Sequence, residues 1–310
     1  MDIISKIEGG IGSQMFCYAA AKRLALRNNA NLWLDILSGY PENDYYRHQY
    51  RLSENFNINV KFAHKKDCYL GFFRRKWRKF ITKKQFYNPP SKRVFLSEYR
   101  DKNKWTHFQE ELLTLSPSLE KIYLEGVWND ERYFLDIRDI LLKEFNLRDE
   151  ILSNRTKQLT QKVRQNNSIC VHFRLARTQP NIPNVKPTGD QQLPWGYYER
   201  AIKLISQKID NPHLYYFCDT PEYLDTTSTA SPSLPITIIS HNNSQETACQ
   251  DLHIMKNCKH FIIANSAFSW WGAWLSENND KIVVSPRNDE KSKLKWSGNR
   301  EICPSSWLII

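Results

Sequence analysis

One device recurs through the second half of the chain and leaves few folds open to it. A short apolar run stops abruptly at polar or charged residues. Ser168 to His172 ends in His172-Phe173-Arg174, and Leu214 to Cys218 ends in Asp219-Thr220-Pro221-Glu222. Ile236 to Ile239 ends in Ser240-His241-Asn242-Asn243, Phe261 to Ala264 in Asn265-Ser266, and Ile282 to Val284 in Ser285-Pro286-Arg287. Runs of this length read as strands buried on both faces, and helical patterns separate several of them. That alternation predicts an α/β unit with an open parallel sheet, whose ligands bind outside the carboxyl ends of the strands.

The fourth run opens the densest stretch, HFIIANSAFSWWGAWL from His260 to Leu275. Its apolar first half predicts a strand and its second half the opening of a helix, with Asn265, Ser266 and Ser269 where one becomes the other. Two readings stand. The serines are ordinary caps while the tryptophans fill the core, or the helix start, with its unpaired N–H groups and positive dipole end, seats a phosphate.

The first half begins as β-α-β. Residues 3–7 read as a strand, Gly9-Gly10-Ile11-Gly12 follows, and SQMFCYAAAKRLALRNN is helical, with Met15, Tyr18, Ala19, Leu24 and Leu26 on its apolar side. Asn31 to Asp35 is the next strand. G-x-G-x-x-G is not completed, yet Gly10 and Gly12 still fit a close approach of backbone to a ligand. From Ile36 to about Leu119 the pattern is polar, aromatic and basic, read as mixed helices and loops that suit a variable surface. Lys121 to Trp128 returns to a strand, and a helix is expected from Asn129-Asp130-Glu131 onward through Phe145. The polar stretch from Arg148 to Asn167 is the expected boundary between residues 1–150 and 151–310.

Forty-four Lys and Arg against 33 Asp and Glu give a formal charge of +11, which calls for an anionic partner. The excess concentrates in residues 61–93, where Asp67 is the only acid among many cations. Phe73, Trp77, Phe80 and Ile81 share one helical face there. This is either a helix resting peripherally on an anionic membrane or a solvated helix packed on its own domain. No run approaches the roughly 18 apolar residues of a membrane span. The opening MDIISKIEGG has neither a basic n-region nor a cleavage site, so no signal peptide is expected. The seven cysteines are scattered without a C-x-x-C pair, which predicts reduced, packed thiols and a cytoplasmic protein.

The strand ends collect His172, Arg174, Asp219, Asn265, Ser266 and Ser269. An arginine beside a serine-rich helix start suits a diphosphate, because the guanidinium forks onto its oxygens and keeps its charge. His172 is a neutral hydrogen-bonding group or a buried structural histidine. Asp219 meets a base or ribose, or caps its helix. No Asp-x-Asp pair occurs in the sequence, so cationic and backbone donors are expected to neutralise the diphosphate without a metal or other cofactor.

Several strings resemble those of the bacterial α-1,2-fucosyltransferases, glycosyltransferase family eleven. They are Gly9-Gly10-Ile11-Gly12-Ser13-Gln14-Met15-Phe16, Tyr123-Leu124-Glu125-Gly126-Val127-Trp128 with Glu131-Arg132-Tyr133-Phe134, His172-x-Arg174, Phe217-x-Asp219, Asp251-Leu252-x-Ile254-Met255, and Ile262 to Trp274. The resemblance runs from end to end. It implies a GT-B-like α/β fold of two Rossmann-like lobes, with residues 1–150 on the acceptor side and 151–310 holding GDP-β-L-fucose. It also implies inverting, metal-independent transfer of L-fucose to a galactose-type hydroxyl of an oligosaccharide or lipid-linked glycan, such as a bacterial surface polysaccharide, with Arg174 on the donor diphosphate. Two positions depart from the family: Leu175-Ala176-Arg177-Thr178 replaces a second arginine, glycine and aspartate, and Ser13 stands where asparagine is favoured. Arg177 is the residue placed to supply the missing charge. Asp190 and Glu8 are the expected alternatives for general base. The rival readings are a transferase for another GDP-sugar or linkage, a nucleotide-sugar binder that has lost catalysis, and, ranked last, a nucleic-acid-binding protein.

Overall fold

The computed structural model describes residues 1–40, 49–68, 86–87, 93–103, 105–115, 120–174, 193–218, 224, 234–242, 247–288, 299 and 301–310. They fall in two α/β units, Met1–Phe145 with Gly298–Ile302, and Asn146–Ser297 with Cys303–Ile310.

The first unit runs β1 (Asp2–Lys6), α1 (Ile11–Arg27), β2 (Asn31–Asp35), α2 (Leu52–Asn55), β3 (Lys61–Phe62), β4 (Phe86–Tyr87), β5 (Arg93–Ser97), α3 (Glu111–Thr114), β6 (Lys121–Glu125) and α4 (Arg138–Glu144). Its sheet has the order β3-β2-β1-β6-β5-β4, parallel except for β4 against β5. Helix α1 is buried almost all round from Gln14 to Ala21, with Ala19, Ala20 and Ala21 small enough to lie close on the sheet. Leu26, expected on its apolar side, is 45% exposed.

Two expectations fail here. The stretch expected to hold only helices and loops supplies β5, paired in register with β6 (Val94↔Ile122, Leu96↔Leu124). Three apolar residues beside a basic run show no readable period, and the pairing decides what local pattern does not. The helix expected from Asn129 begins instead as two 3-10 turns, Glu131–Tyr133 and Leu135–Ile137, before α4. Asp130 caps the first by accepting the Arg132 N–H, and Trp128 just before it has φ +58. A left-handed residue there breaks the helical path. The basic amphipathic helix through Phe73, Trp77, Phe80 and Ile81 lies outside the described residues.

The second unit runs α5 (Asn154–Gln165), β7 (Asn167–Phe173), α6 (Trp195–Ser206), β8 (Pro212–Cys218), β9 (Ile236–Ile239), α7 (Ala248–Lys256), β10 (His260–Ile262), α8 (Ala267–Trp274), β11 (Val283–Ser285) and β12 (Leu308–Ile309). The sheet is parallel throughout, in the order β12-β11-β10-β7-β8-β9. Counted from β7 this is the doubly wound order 3-2-1-4-5-6, with its switch point between β7 and β10. Ile169, Val171, Leu214, Tyr216, Ile262 and Val284 join the α6 residues Ala201, Ile202 and Ile205 in one core. Each fully buried aliphatic side chain of this kind contributes about 1.5–3 kcal/mol. The polar stretch read as a separator is α5 itself. Ser153 caps it through Thr156, and Leu159 and Val163 are buried.

All seven cysteines are free thiols, and six are buried. No described helix is long and apolar enough to cross a membrane.

Candidate functional site

At the switch point of the second sheet, the chain leaves β10 through Ala264 and Asn265 and enters α8 at Ser266. Ser266 has extended backbone (φ −142, ψ 126), and its Oγ accepts the Phe268 N–H at 3.3 Å. Ser269 is fully buried, and its hydroxyl donates to the Ser266 carbonyl at 3.3 Å. Both serine side chains therefore build the turn, as the capping reading expected. The tryptophans hold the helix down. Trp270 stacks on Trp274 at 5.9 Å, Trp271 meets Trp270 edge-on at 5.0 Å, and Trp307 lies 5.6 Å from Trp270. Gly272 lets α8 approach α7, since a Cβ there would lie 3.0 Å from Met255 Cβ. The result is a rigid helix start whose positive dipole end faces the carboxyl edge of the sheet.

Arg174, the first residue after β7, reaches across the switch point, and its Nη1 donates to the Asn265 carbonyl at 2.9 Å. Sequence reasoning expected Arg174 beside this turn, and the geometry brings them together. His172 lies two residues back, 7% exposed, with its ring 6.0 Å from Phe268. Burial, and secondarily the Arg174 charge, push its pKa down to about 3, so the imidazole is neutral. Its Nδ1 is buried and has no hydrogen-bond partner among the described residues. A neutral imidazole carrying an unsatisfied nitrogen beside a guanidinium is a place for a polar ligand atom. Tyr198 donates to the His172 carbonyl at 3.2 Å, and the Tyr197 hydroxyl lies 2.7 Å from the Ile263 carbonyl, which fixes both strand ends. Arg177, Asp190 and Asp219 lie outside the described residues.

The first unit has its own switch point, between β1 and β6. Gly9 takes φ +75, which an L side chain rarely adopts. Gly10 is the N-cap of α1, and Gly12 is buried within that helix. The Gly9 carbonyl is clamped by Gln14 Nε2 at 3.0 Å and by the Tyr40 hydroxyl at 3.2 Å. Gly39 packs so tightly on the loop that a Cβ there would lie 1.8 Å from the Ile7 carbonyl oxygen. Asp35 sets this turn, accepting the N–H groups of Leu37 and Ser38 at 3.0 and 2.9 Å and the Tyr123 hydroxyl at 2.6 Å. Glu8, one of the expected bases, pairs at 2.5 Å with the buried Lys6, which also lies 3.4 Å from Glu125.

Sequence reasoning missed Gly39, Asp35 and Glu98. Glu98 follows β5 and accepts the Val127 and Trp128 N–H groups at 3.3 and 3.0 Å, while burial raises its pKa. No local signal marks Gly39 or Glu98, because the contacts that matter come from other strands. Asp251, the first residue of the Asp251-Leu252-x-Ile254-Met255 string, is buried on α7 with Asn242 Nδ2 donating to it at 2.7 Å. Burial pushes its pKa up to about 7.

Residues 7–309 match the sequence model of glycosyl transferase family 11. The chain is 29% identical over 318 residues to an alpha-1,2-colitosyltransferase of Escherichia coli, covering 99% of this chain and 98% of that one. It is 28% identical over 320 residues to the O-antigen biosynthesis glycosyltransferase WbnK of Escherichia coli, covering 99% of each. Among solved structures, the NodZ alpha-1,6-fucosyltransferase soaked with GDP-fucose superposes with a TM-score of 0.52 at 17% identity, covering 88% of this chain and 92% of that one. At that identity the likeness is one of fold, and it is the two-lobed α/β class that the sequence implied.

Proposed function

The chain belongs to glycosyl transferase family 11, and from that premise we propose that it moves L-fucose from GDP-β-L-fucose to a galactose-type hydroxyl, forming an α-1,2 linkage by inversion. One observation carries this reading. Arg174 is bonded to the strand-to-helix turn of Asn265, next to the start of α8, at the switch point of a doubly wound sheet. Cation and helix dipole there converge on the kind of edge that receives a nucleotide diphosphate. The acceptor oxygen attacks the anomeric carbon as the bond to the β-phosphate oxygen breaks on the opposite face. The acceptor proton passes to a base, and GDP carries away the electron pair. Arg174 and the helix start stabilise the charge that grows on the leaving phosphate, and neutral His172 offers a hydrogen bond without adding a second cation. The absence of any Asp-x-Asp pair supports leaving this neutralisation to the protein rather than to a metal, and turnover in excess chelator tests that point. The acceptor is a glycan, and the first unit is its side of the reaction.

A second reading is favoured by the relative named for colitosyl transfer, which is 29% identical along nearly the whole chain. Colitose is L-fucose without its 3-hydroxyl, so one hydrogen-bonding group separates the two donors. A site that bonds this hydroxyl rejects the deoxy sugar strongly, whereas an apolar pocket discriminates weakly. Calorimetry with GDP, GDP-fucose and GDP-colitose, followed by turnover of each donor, decides between them. Absence of GDP binding would remove both.

A further inference from the structure

Helix α5 presents an outward face of one sign. Arg155, Lys157, Lys162 and Arg164 are exposed, the remaining outward positions include Gln158, Gln161 and Gln165, and the helix contains no acid. Surface helices ordinarily place carboxylates in the first turn, where the dipole is positive. Here that turn has none, and Arg155 and Lys157 stand near it. The glutamines matter equally. Gln158 is three residues from Arg155, Gln161 four from Lys157 and Gln165 three from Lys162, the spacings at which a glutamate would pair with each cation. Among the described residues, none of the four cations makes an ion pair with a carboxylate. Arg164 Nε donates instead to the amide oxygen of Asn257 at 2.8 Å. Lys256 of α7 extends the face, its pKa pushed down to about 8 by burial and, less, by the Arg164 charge, with Glu277 opposing. Asp149 acts on His253 at this border, and Glu150 follows it in the turn before α5.

The opposite side of α5, Thr156, Leu159, Thr160 and Val163, is buried within the unit. The helix therefore has no apolar stripe to insert, and whatever it meets is met by charge at the surface. No aromatic residue lies on α5 to stack a base, which disfavours single-stranded nucleic acid. We propose that the outer face of α5 docks the protein electrostatically on an anionic lipid bilayer. This surface is distinct from residues 61–93, and the proposal does not depend on which sugar the enzyme transfers.

The test is sedimentation of the full chain with vesicles of neutral phosphatidylcholine or of phosphatidylcholine with phosphatidylglycerol. Each basic residue near such a surface contributes about fivefold in affinity, and the attraction decays within about 8 Å at physiological ionic strength. The protein is expected to bind only the anionic vesicles and to be released by salt. Changing Arg155, Lys157, Lys162 and Arg164 together to Gln is expected to weaken binding at least tenfold. The charge-preserving set Arg155→Lys, Lys157→Arg, Lys162→Arg and Arg164→Lys should restore it, with the melting temperature of each variant recorded as a check on folding. Unchanged binding by the folded Gln variant would overturn the assignment. So would loss of binding only when Arg74, Arg75, Lys76, Arg78 and Lys79 are neutralised, or a preference for oligonucleotide over anionic vesicles at equal salt.

Discussion

The two sheets share a design, each with its switch point beside its first strand, yet the two crevices carry opposite chemistry. In the first unit, β1, β5 and β6 bring Glu8, Glu98 and Glu125 to the carboxyl edge, where the buried Lys6 pairs with Glu8 and lies 3.4 Å from Glu125. In the second, the described residues at the same edge include Arg174, a neutral histidine and a capped helix start. One topology thus serves two electrostatic purposes. An edge rich in carboxylates suits sugar hydroxyls, which donate to them, and repels a diphosphate. A cationic edge does the reverse. The contrast lives in a handful of strand-end residues and not in the strands.

The sharpest way to break this contrast is at Arg174. Arg174→Ala is expected to lower kcat/KM by about 10²–10³, the usual loss when one preorganised donor to a developing charge is removed, and to weaken GDP. Glu8→Gln is expected to leave GDP affinity within about twofold while altering turnover. Calorimetry showing equal weakening by both would erase the distinction between the crevices.

Gly39→Ala comes next in size. A Cβ 1.8 Å from a backbone oxygen cannot be accommodated by a side-chain rotation. About 1–3 kcal/mol of stability should be lost as the loop shifts. Urea unfolding read beside GDP binding should show the first unit's loop disturbed and the nucleotide affinity kept.

Protonation separates two groups of the second unit with opposite signs. His172 ordinarily titrates near 6.5 and falls to about 3 when folded. Between those values the unfolded chain binds more protons, so this contribution to stability is present above pH 6.5 and is lost as pH falls toward 3. Asp251 moves from 3.8 to about 7. Its contribution is present below pH 3.8 and is lost as pH rises through 7. Asp251→Asn, whose amide oxygen can still accept from Asn242, should therefore stabilise the protein more at pH 8 than at pH 5, by roughly 1 kcal/mol or more. Melting curves at the two pH values that moved together would show that Asp251 is not held as a buried acid.

Gly272→Ala is expected to have the smallest effect, about 1 kcal/mol, because its close neighbour, Met255, can yield a few tenths of an ångström. A larger loss of GDP binding than of stability would mean that the seating of α8 on α7 sets the nucleotide crevice.

How much of this was legible beforehand follows from the range over which each cause acts. The five polar strand ends of the second half were readable because burial on both faces makes the centres of β7, β8 and β10 largely apolar, and the chain must turn polar where the sheet ends. The nearness of Arg174 to the start of α8 was expected from those ends, whereas its bond to the Asn265 carbonyl was not. Strand β5 was not readable, since Val94, Phe95 and Leu96 are too few to show a period and gain their identity from β6. Ser266 and Ser269 carried two meanings in the sequence, and the hydrogen bonds they make with the turn assign their side chains to capping. The tight fit of Gly39 and the burial of Glu98 and Asp251 arise between segments distant in sequence.

The division of the chain is not a single cut. After the second unit is nearly complete, residues 298–302 return to the first, where Asn299 Nδ2 donates to the Asn129 carbonyl at 3.0 Å and Glu301 meets Arg132 at 2.7 Å. The backbone then goes back to supply β12. A polypeptide severed after Phe145 would leave one fragment without its closing clasp and the other carrying a stranded pentapeptide. Co-expressed halves should consequently recover activity more readily than either piece folds by itself, and swapping whole lobes between relatives will demand three junctions instead of one.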